Sequence, residues 1–499
     1  MNPSKKISLF SAVTLATTAM IGSGWLFSAQ LNARLAGNYS FLAWILAALL
    51  IIVVGLCLSQ VVSVYPVRGA TSRSSALSHN AVFGMPFAFA NWFGVMVTVA
   101  TEAQATTEYL SACFKHSELM ADGDLTLSGK LFAFAILLLY LVINFYGVKL
   151  LTKVNNTITI LKVFTPLFTI AILLIAHFDK SNFNLLSNTM YGVGSALTAI
   201  VGAGLIYSYN GFQLAVAFAS EIENPKRNVP LSIIISVGIV MLGYMALQLA
   251  FMGGVPHDLL NNGWSSLNFH SPLMNLALLL GLNFLVLLLT ADSVVSPSGT
   301  GYAYLGGSAR MFYAMAMEGQ MPRWTITKLN PIYNLCRRSL LINWTLVALV
   351  LWNSKSWASL MLVVTGYHVI GYMAAPVSMG AIKPKTRFAG CLVFIILAFV
   401  MNTLPHHNLA LMNVSIMILM FLYGIIQLTK KVNIGVLFVL ISPFIIFLWL
   451  LYACSQNLVL LGVIAAVFYF FITSARFVEF CRRHKGEESP LNLDEDFGH

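Results

Sequence analysis

The stretch AMIGSGWLFSAQ, Ala19 to Gln30, lies in the first long apolar segment of the chain and sets Gly22, Ser23 and Gly24 side by side in its middle. Glycine costs about 1 kcal/mol relative to alanine in a helix interior. Small residues on one face serve close packing between membrane helices. Three consecutive positions, however, point three ways around a helix. The stretch therefore predicts a helix that opens. Such backbone survives in an apolar setting only where it is buried in protein or lines a cavity.

Composition supplies the apolar setting. Of 499 residues, 58% are hydrophobic and 9% charged, against about 25% charged in soluble domains. This is the composition of a polytopic membrane protein with the lipid bilayer as its solvent. The net charge of +11 does not mark a nucleic-acid partner, because the basic residues fall in short loops between apolar segments. Cys57, Cys113, Cys336, Cys391, Cys454 and Cys481 are scattered without a CxxC pair, which suggests neither a disulfide framework nor a metal site. Lys5 and Lys6 precede an apolar run too long for the core of a secretory signal, so that run is taken as the first span.

With a window of about 20 apolar residues, the spans are 7–31, 41–66, 84–113, 129–147, 157–177, 192–220, 231–254, 283–307, 339–353, 356–382, 388–405, 408–429, 432–454 and 457–477, fourteen in all. Residues 272–282 are taken as a separate helix outside the eighth span, with Pro272, Gly281 and Pro297 as possible breakers. If the N-terminus is cytoplasmic, alternation places 22 Lys and Arg residues inside. Only Arg34, Lys115, Lys130, Lys180 and Lys355 fall outside. This bias obeys the positive-inside rule and puts both termini in the cytoplasm. Residues 481–499 are read as a cytoplasmic tail, disordered in its polar, acidic part from Lys485 to His499.

Span six repeats the anomaly of span one. It reads GVGSALTAIVGAGLIYSYNGFQLAVAFASEI, Gly192 to Ile222, with Tyr207, Ser208, Tyr209, Asn210 and Gly211 in its middle. Spans one and six are five apart and cross in opposite directions. Interrupted segments at matching places in two inverted halves point to a transporter's binding site. Freed N–H groups at the start of a half-helix suit a carboxylate, and freed carbonyls suit an ammonium. An α-amino acid carries both.

These stretches, with two others, resemble the amino acid–polyamine–organocation superfamily of permeases. IGSGWLF (Ile21–Phe27) is similar to its span-one signature. YSYNGFQLAVAFASEIENPKRNVP (Tyr207–Pro230) is similar to its span-six segment and following loop. NNTITILKVFTPLF (Asn155–Phe168) is similar to a span five with a membrane lysine, and ADSVVSPSGTGYAYLGGSARMFYAMAMEGQMP (Ala291–Pro322) to the span-eight region. Together they cover residues 10–330. GSGW and SPSGTG look most like the aspartate–proton symporter subgroup. The resemblance implies an all-α, LeuT-type five-plus-five inverted repeat with broken helices 1 and 6. Its core would be residues 1–430, with repeats at about 7–177 and 192–382. Spans 13 and 14, within 431–480, would be additions. The chain departs from the family at Gln213, where Glu is frequent, and at Trp25, where Ile is usual.

Ionisable groups inside the bilayer are costly and mark functional cavities. Lys162 either snorkels to the interface or, as the resemblance implies, touches the span-one backbone where sodium-coupled relatives hold a cation. Burial drives an ammonium toward its neutral form, which suits a proton carrier. Ser296, Ser298 and Asp292 are its candidate neighbours, although Asp292 suits the cap of a half-helix equally. Glu102 is central to span three and could pair with Lys162, bind a cationic substrate, titrate, or simply make a buried hydrogen bond. Glu108 lies on the same span. Tyr207 suits an aromatic gate or plain packing. Tyr367, His368 and Tyr372 suit the core. Glu221, Asn224, Pro225 and Arg227 suit a hydrogen-bonded loop at an inner gate.

No nucleophile–base arrangement, phosphate-binding loop or metal-ligand cluster is present in the sequence, so an enzyme is not expected, and neither a cofactor nor a metal is called for. The expected substrate site comprises Ile21, Gly22, Ser23, Gly24, Tyr207, Ser208, Tyr209, Asn210 and Gly211, with Lys162 and Glu102 coupling transport to a proton. An exchanger, an amine or polyamine permease and a non-transporting sensor are the alternatives. A channel fits poorly, for lack of a ring of like charge. A bacterial inner membrane is the expected location.

Overall fold

The computed structural model describes residues 6–65, 70–113, 118–146, 148–185, 189–326, 336–429, 432–454 and 459–478. Lys5, Arg68, Lys115, Lys328, Lys430, Lys431 and the 481–499 tail lie outside them. The described chain is almost wholly helical. In order come α1 (Leu9–Met20), α2 (Gly24–Ala36), α3 (Ser40–Val62), α4 (Ala70–Ser78), α5 (Ala81–Cys113), α6 (Leu127–Tyr146) and α7 (Val148–Ala176). Then follow α8 (Val193–Gly202), α9 (Leu205–Ser208), α10 (Leu214–Ala217), α11 (Pro225–Gly254), α12 (Pro272–Leu279) and α13 (Asn283–Met317). The last are α14 (Arg337–Asn353), α15 (Trp357–Ile382), α16 (Arg387–Asn402), α17 (His406–Thr429), α18 (Ile434–Cys454) and α19 (Val459–Phe471). A two-residue hairpin, Met120–Ala121 against Asp124–Leu125, turns at Asp122 and Gly123, both at positive φ.

Among the described residues, nine helical stretches are long and apolar enough to cross a membrane. Leu9–Met20, Leu161–Ala176, Val193–Gly202 and Val459–Ala475 are shorter apolar helices. The outer surface is apolar as well: Ile175, Phe388 and Leu460 are exposed. In a bilayer, only structures that satisfy their backbone internally can span. The protein is an all-α, polytopic, integral membrane protein.

α5 is the central post, buried along most of its length and packed chiefly against α15 and α13. Its buried Glu108 accepts from the N–H of Trp357 at 2.6 Å and so holds the start of α15. Two expectations need correction. Pro297 does not break α13, which runs unbroken to Met317. A helical proline frees the carbonyl four residues back, here that of Ser293. The Thr106 hydroxyl on α5 donates to it at 2.9 Å. α13 ends only where Gly319 turns to positive φ. The second is an omission: α4, a polar helix with no apolar stripe to announce it, was not anticipated.

The chain ahead of α1 is tied to the far side of the sixth span. Ile7 N–H donates to the Glu221 carbonyl at 2.8 Å, and Glu223 N–H donates to the Ile7 carbonyl at 3.0 Å. Asn224, in the left-handed region, then starts α11.

Candidate functional site

The two anomalous stretches are both broken, and they meet. α1 stops at Met20, Ile21 leaves helical geometry, and α2 begins at Gly24. In the other, Gly204 at positive φ separates α8 from the single turn α9, and residues 209–213 are not helical. Gly211, at φ 128°, lies against the backbone of Ala19 and Met20. Any Cβ there would come within 2.6 Å of the Ala19 carbonyl carbon.

Backbone groups freed by the breaks find specific partners, as buried ones must. The Tyr244 hydroxyl lies 3.0 Å from the Met20 carbonyl and 3.2 Å from that of Ser208, and serves both helix ends. Ser296 Oγ donates to the Ile21 carbonyl at 3.4 Å. Gly211 N–H donates to Gln213 Oε1 at 3.0 Å, and Gln213 Nε2 to Asn210 Oδ1 at 2.6 Å.

At the start of α2, Ser23 N–H donates to Glu102, 3.0 Å from Oε2 and 3.3 Å from Oε1. The Tyr207 hydroxyl donates to Glu102 Oε1 at 2.7 Å. Trp357 Nε1 donates to Ser23 Oγ at 2.9 Å, and the Trp357 ring packs edge-on to Tyr207 and stacks on Phe27 at 4.3 Å. Gly22 packs against Glu102 and Thr300. A Cβ on it would lie 2.8 Å from Glu102 Oε1 and 3.3 Å from Thr300 Oγ1. Thr300 in turn accepts from the Lys162 ammonium at 2.7 Å. A small cavity of about 10 Å³ lies here, lined by Met20, Gly22, Glu102, Tyr207, Asn210 and Tyr304 among others. Asn210 is buried, and its Nδ2 donor has no partner.

Several expected residues stand elsewhere. Lys162 reaches Thr300 rather than the α1 backbone; it is Ser296 that touches Ile21. Ser298 accepts from the Tyr140 hydroxyl at 3.2 Å, on another face of α13. The Tyr209 hydroxyl donates to the Trp44 carbonyl on α3, away from the cavity. Ser208 exchanges a hydrogen bond with Ser28 at 2.9 Å, and Gly24 packs on Ser208. Asp292 caps nothing: it lies buried within α13, close to Lys162 and the Thr165 hydroxyl. Thr98, Thr300, Tyr304, Tyr244 and Trp357 were not foreseen. Glu102 was foreseen, but not its grip on the end of α2. Among the described residues, no cluster of three His, Cys, Asp or Glu could hold a metal ion.

The arrangement offers a small cavity bordered by paired helix ends and the Glu102 carboxyl group, with the Lys162 ammonium held on the lining Thr300. Known proteins agree with that chemistry. The chain is 33% identical to the glutamate/serine transporter AimA of Bacillus subtilis over 385 residues, 76% of this chain and 71% of that protein. It is 29% identical to the aspartate-proton symporter of the same organism, over 77% of this chain and 74% of the relative. A methylthioribose transporter of that organism is 22% identical, over 64% of this chain and 68% of the relative. The family model described as amino acid permease matches residues 7–478. The chain belongs to the amino acid permease family and is a membrane transporter of amino acids, not an enzyme.

Proposed function

We propose that this permease carries a small polar or acidic amino acid across the membrane with a proton, by alternating access around the cavity between α2 and α9. The observation that carries this reading is that Glu102 and Thr300, the acceptor of Lys162, both lie against Gly22, at the meeting point of the two helix breaks. The first turn of α2 has N–H groups that no carbonyl of its own helix can satisfy, and these suit the substrate carboxylate. The carbonyls of Met20, Ile21 and Ser208 suit its ammonium. Ile21, Gly22, Ser23, Gly24, Asn210 and Gly211 would supply the main-chain frame and Tyr207 the aromatic cover. Lys162 and Glu102 would move the proton. Relatives that transport glutamate, serine or aspartate support the substrate class, and the proton follows the symporter among them. In this reading the core is an inverted five-plus-five repeat within a fourteen-span chain, in a bacterial inner membrane with both termini cytoplasmic.

The test is uptake of radiolabelled L-glutamate, L-aspartate and L-serine into proteoliposomes, with and without an inward proton gradient and with and without sodium. Accumulation that follows the proton gradient alone is expected. Sodium-driven uptake, or stabilisation of the protein by the methyl ester and N-acetyl forms equal to that by the free amino acid, would overturn it.

A further inference from the structure

The start of α2 already holds a carboxylate, and it belongs to the protein. Glu102 accepts the Ser23 N–H at 3.0 Å and the Tyr207 hydroxyl at 2.7 Å, and borders the cavity. Both donors are those a substrate carboxylate would seek. A second observation points to a ligand beside Glu102: the buried Asn210 on the cavity wall has an amide donor with no partner among the described residues. We propose that Glu102 is a tethered competitor of the substrate. Its ionised carboxylate and the substrate's carboxylate exclude each other at the start of α2, and substrate enters by drawing one proton from solvent onto Glu102. This rests on the amino acid reading above.

Charge decides the exclusion. Two ionised carboxylates within a few ångströms repel strongly where water is absent. Lys162, reaching Thr300 beside Gly22, supplies one positive charge. With Glu102 ionised, that charge is matched. With Glu102 protonated, the incoming carboxylate takes its place as the counter-charge. The net charge of the site is then the same before and after binding, apart from the substrate's own ammonium and, for an acidic amino acid, its side-chain carboxylate. The other titratable groups that face Glu102 are Asp292, which acts through Lys162, and the hydroxyls of Tyr140, Tyr207, Tyr244 and Tyr304. None of the four phenols is a carboxylate that could compete for Ser23 N–H, and Asp292 makes no hydrogen bond to α2.

The experiment measures binding of L-glutamate, L-aspartate and L-serine to the purified full chain between pH 5 and 8, with proton exchange followed by calorimetry in buffers of different ionisation enthalpy. The wild type should take up close to one proton per ligand, and its Kd should rise by up to about ten-fold per pH unit above the titration of Glu102. Glu102→Gln should bind without proton uptake, with a Kd flat across the range. Proton uptake that persists in Glu102→Gln, or wild-type binding that takes up none, overturns the competition. The second of these outcomes needs no variant to fold. If none of the three amino acids binds the wild type at any pH, the amino acid reading falls and takes the competition with it.

Discussion

Gly211 rests on the carbonyl of Ala19 with no room for a side chain between them: the nearest approach to an added Cβ would be 2.6 Å. This is the seam along which the two broken spans join, backbone to backbone. Gly211→Ala meets that clash and a φ of 128° at once, a strain of roughly 1–3 kcal/mol from the backbone alone. The variant should melt several degrees lower in detergent and lose uptake. Gly238→Ala, on α11 with open space around it, should melt like the wild type. Equal melting of both variants would dissolve the seam.

Gly22 and Gly24 should answer substitution differently. A Cβ on Gly24 meets Ser208, at 2.6 Å from Oγ and 3.1 Å from Cα, so Gly24→Ala wedges α2 from α9 and should abolish binding. A Cβ on Gly22 meets the end of the flexible Glu102 side chain. Gly22→Ala should keep the protein folded and mainly shift the pH dependence of binding. Matching pH profiles for Gly22→Ala and the wild type would show that Glu102 does not lie where binding is decided.

Lys162→Met keeps the stem and removes the charge that Thr300 accepts. One proton per substrate across one pH unit supports up to about ten-fold accumulation. In Lys162→Met this should collapse to the equilibrium level while counterflow exchange continues. Full accumulation in the variant would reject Lys162 as part of the coupling.

Glu318 follows α13 directly and pairs with Arg73 of α4. Burial pushes its carboxyl up from the usual 4.5, and Arg73 pulls it back. The folded chain then holds this proton more tightly than the unfolded one, so stability is fullest below pH 4.5 and falls as pH rises toward the folded value. Arg73→Ala should steepen the loss of melting temperature between pH 5 and 8, and Glu318→Gln should flatten it. Identical slopes in all three proteins would rule out a contribution from the pair.

The breaks were legible because three adjacent small or polar residues cannot share one helix face, and Glu102 and Lys162 because charge is conspicuous in apolar sequence. Their partners were not. Ser296, Ser298 and Thr300 look alike in SPSGTG, yet only positions four apart share a face. Ser296 and Thr300 therefore turn to α1 and Lys162, while Ser298 turns to Tyr140. Which face of α13 meets α7 is set by tertiary packing, and no local pattern announces it. Tyr244 is similar: an unremarkable tyrosine in α11 whose hydroxyl becomes important only once two helix ends converge on it. Pro297 misleads for a different reason, since it reads as a breaker within α13 until Thr106 is seen to answer the carbonyl it frees.

The tie between Ile7 and the Glu221–Glu223 loop has a mechanical side. α1 is a rigid rod of 12 residues, about 18 Å long, hinged at Ile21 and fastened at its other end by two main-chain bonds. A swing of roughly 20° about that hinge would carry the fastened end by about 6 Å, farther than either bond can stretch. The rod can pivot only if the clasp opens or the loop travels with it. The loop leads directly into α11, whose Tyr244 grips the hinge. Hinge, rod, clasp and α11 thus form a closed linkage, in which a pull at either end of α1 is felt at the other.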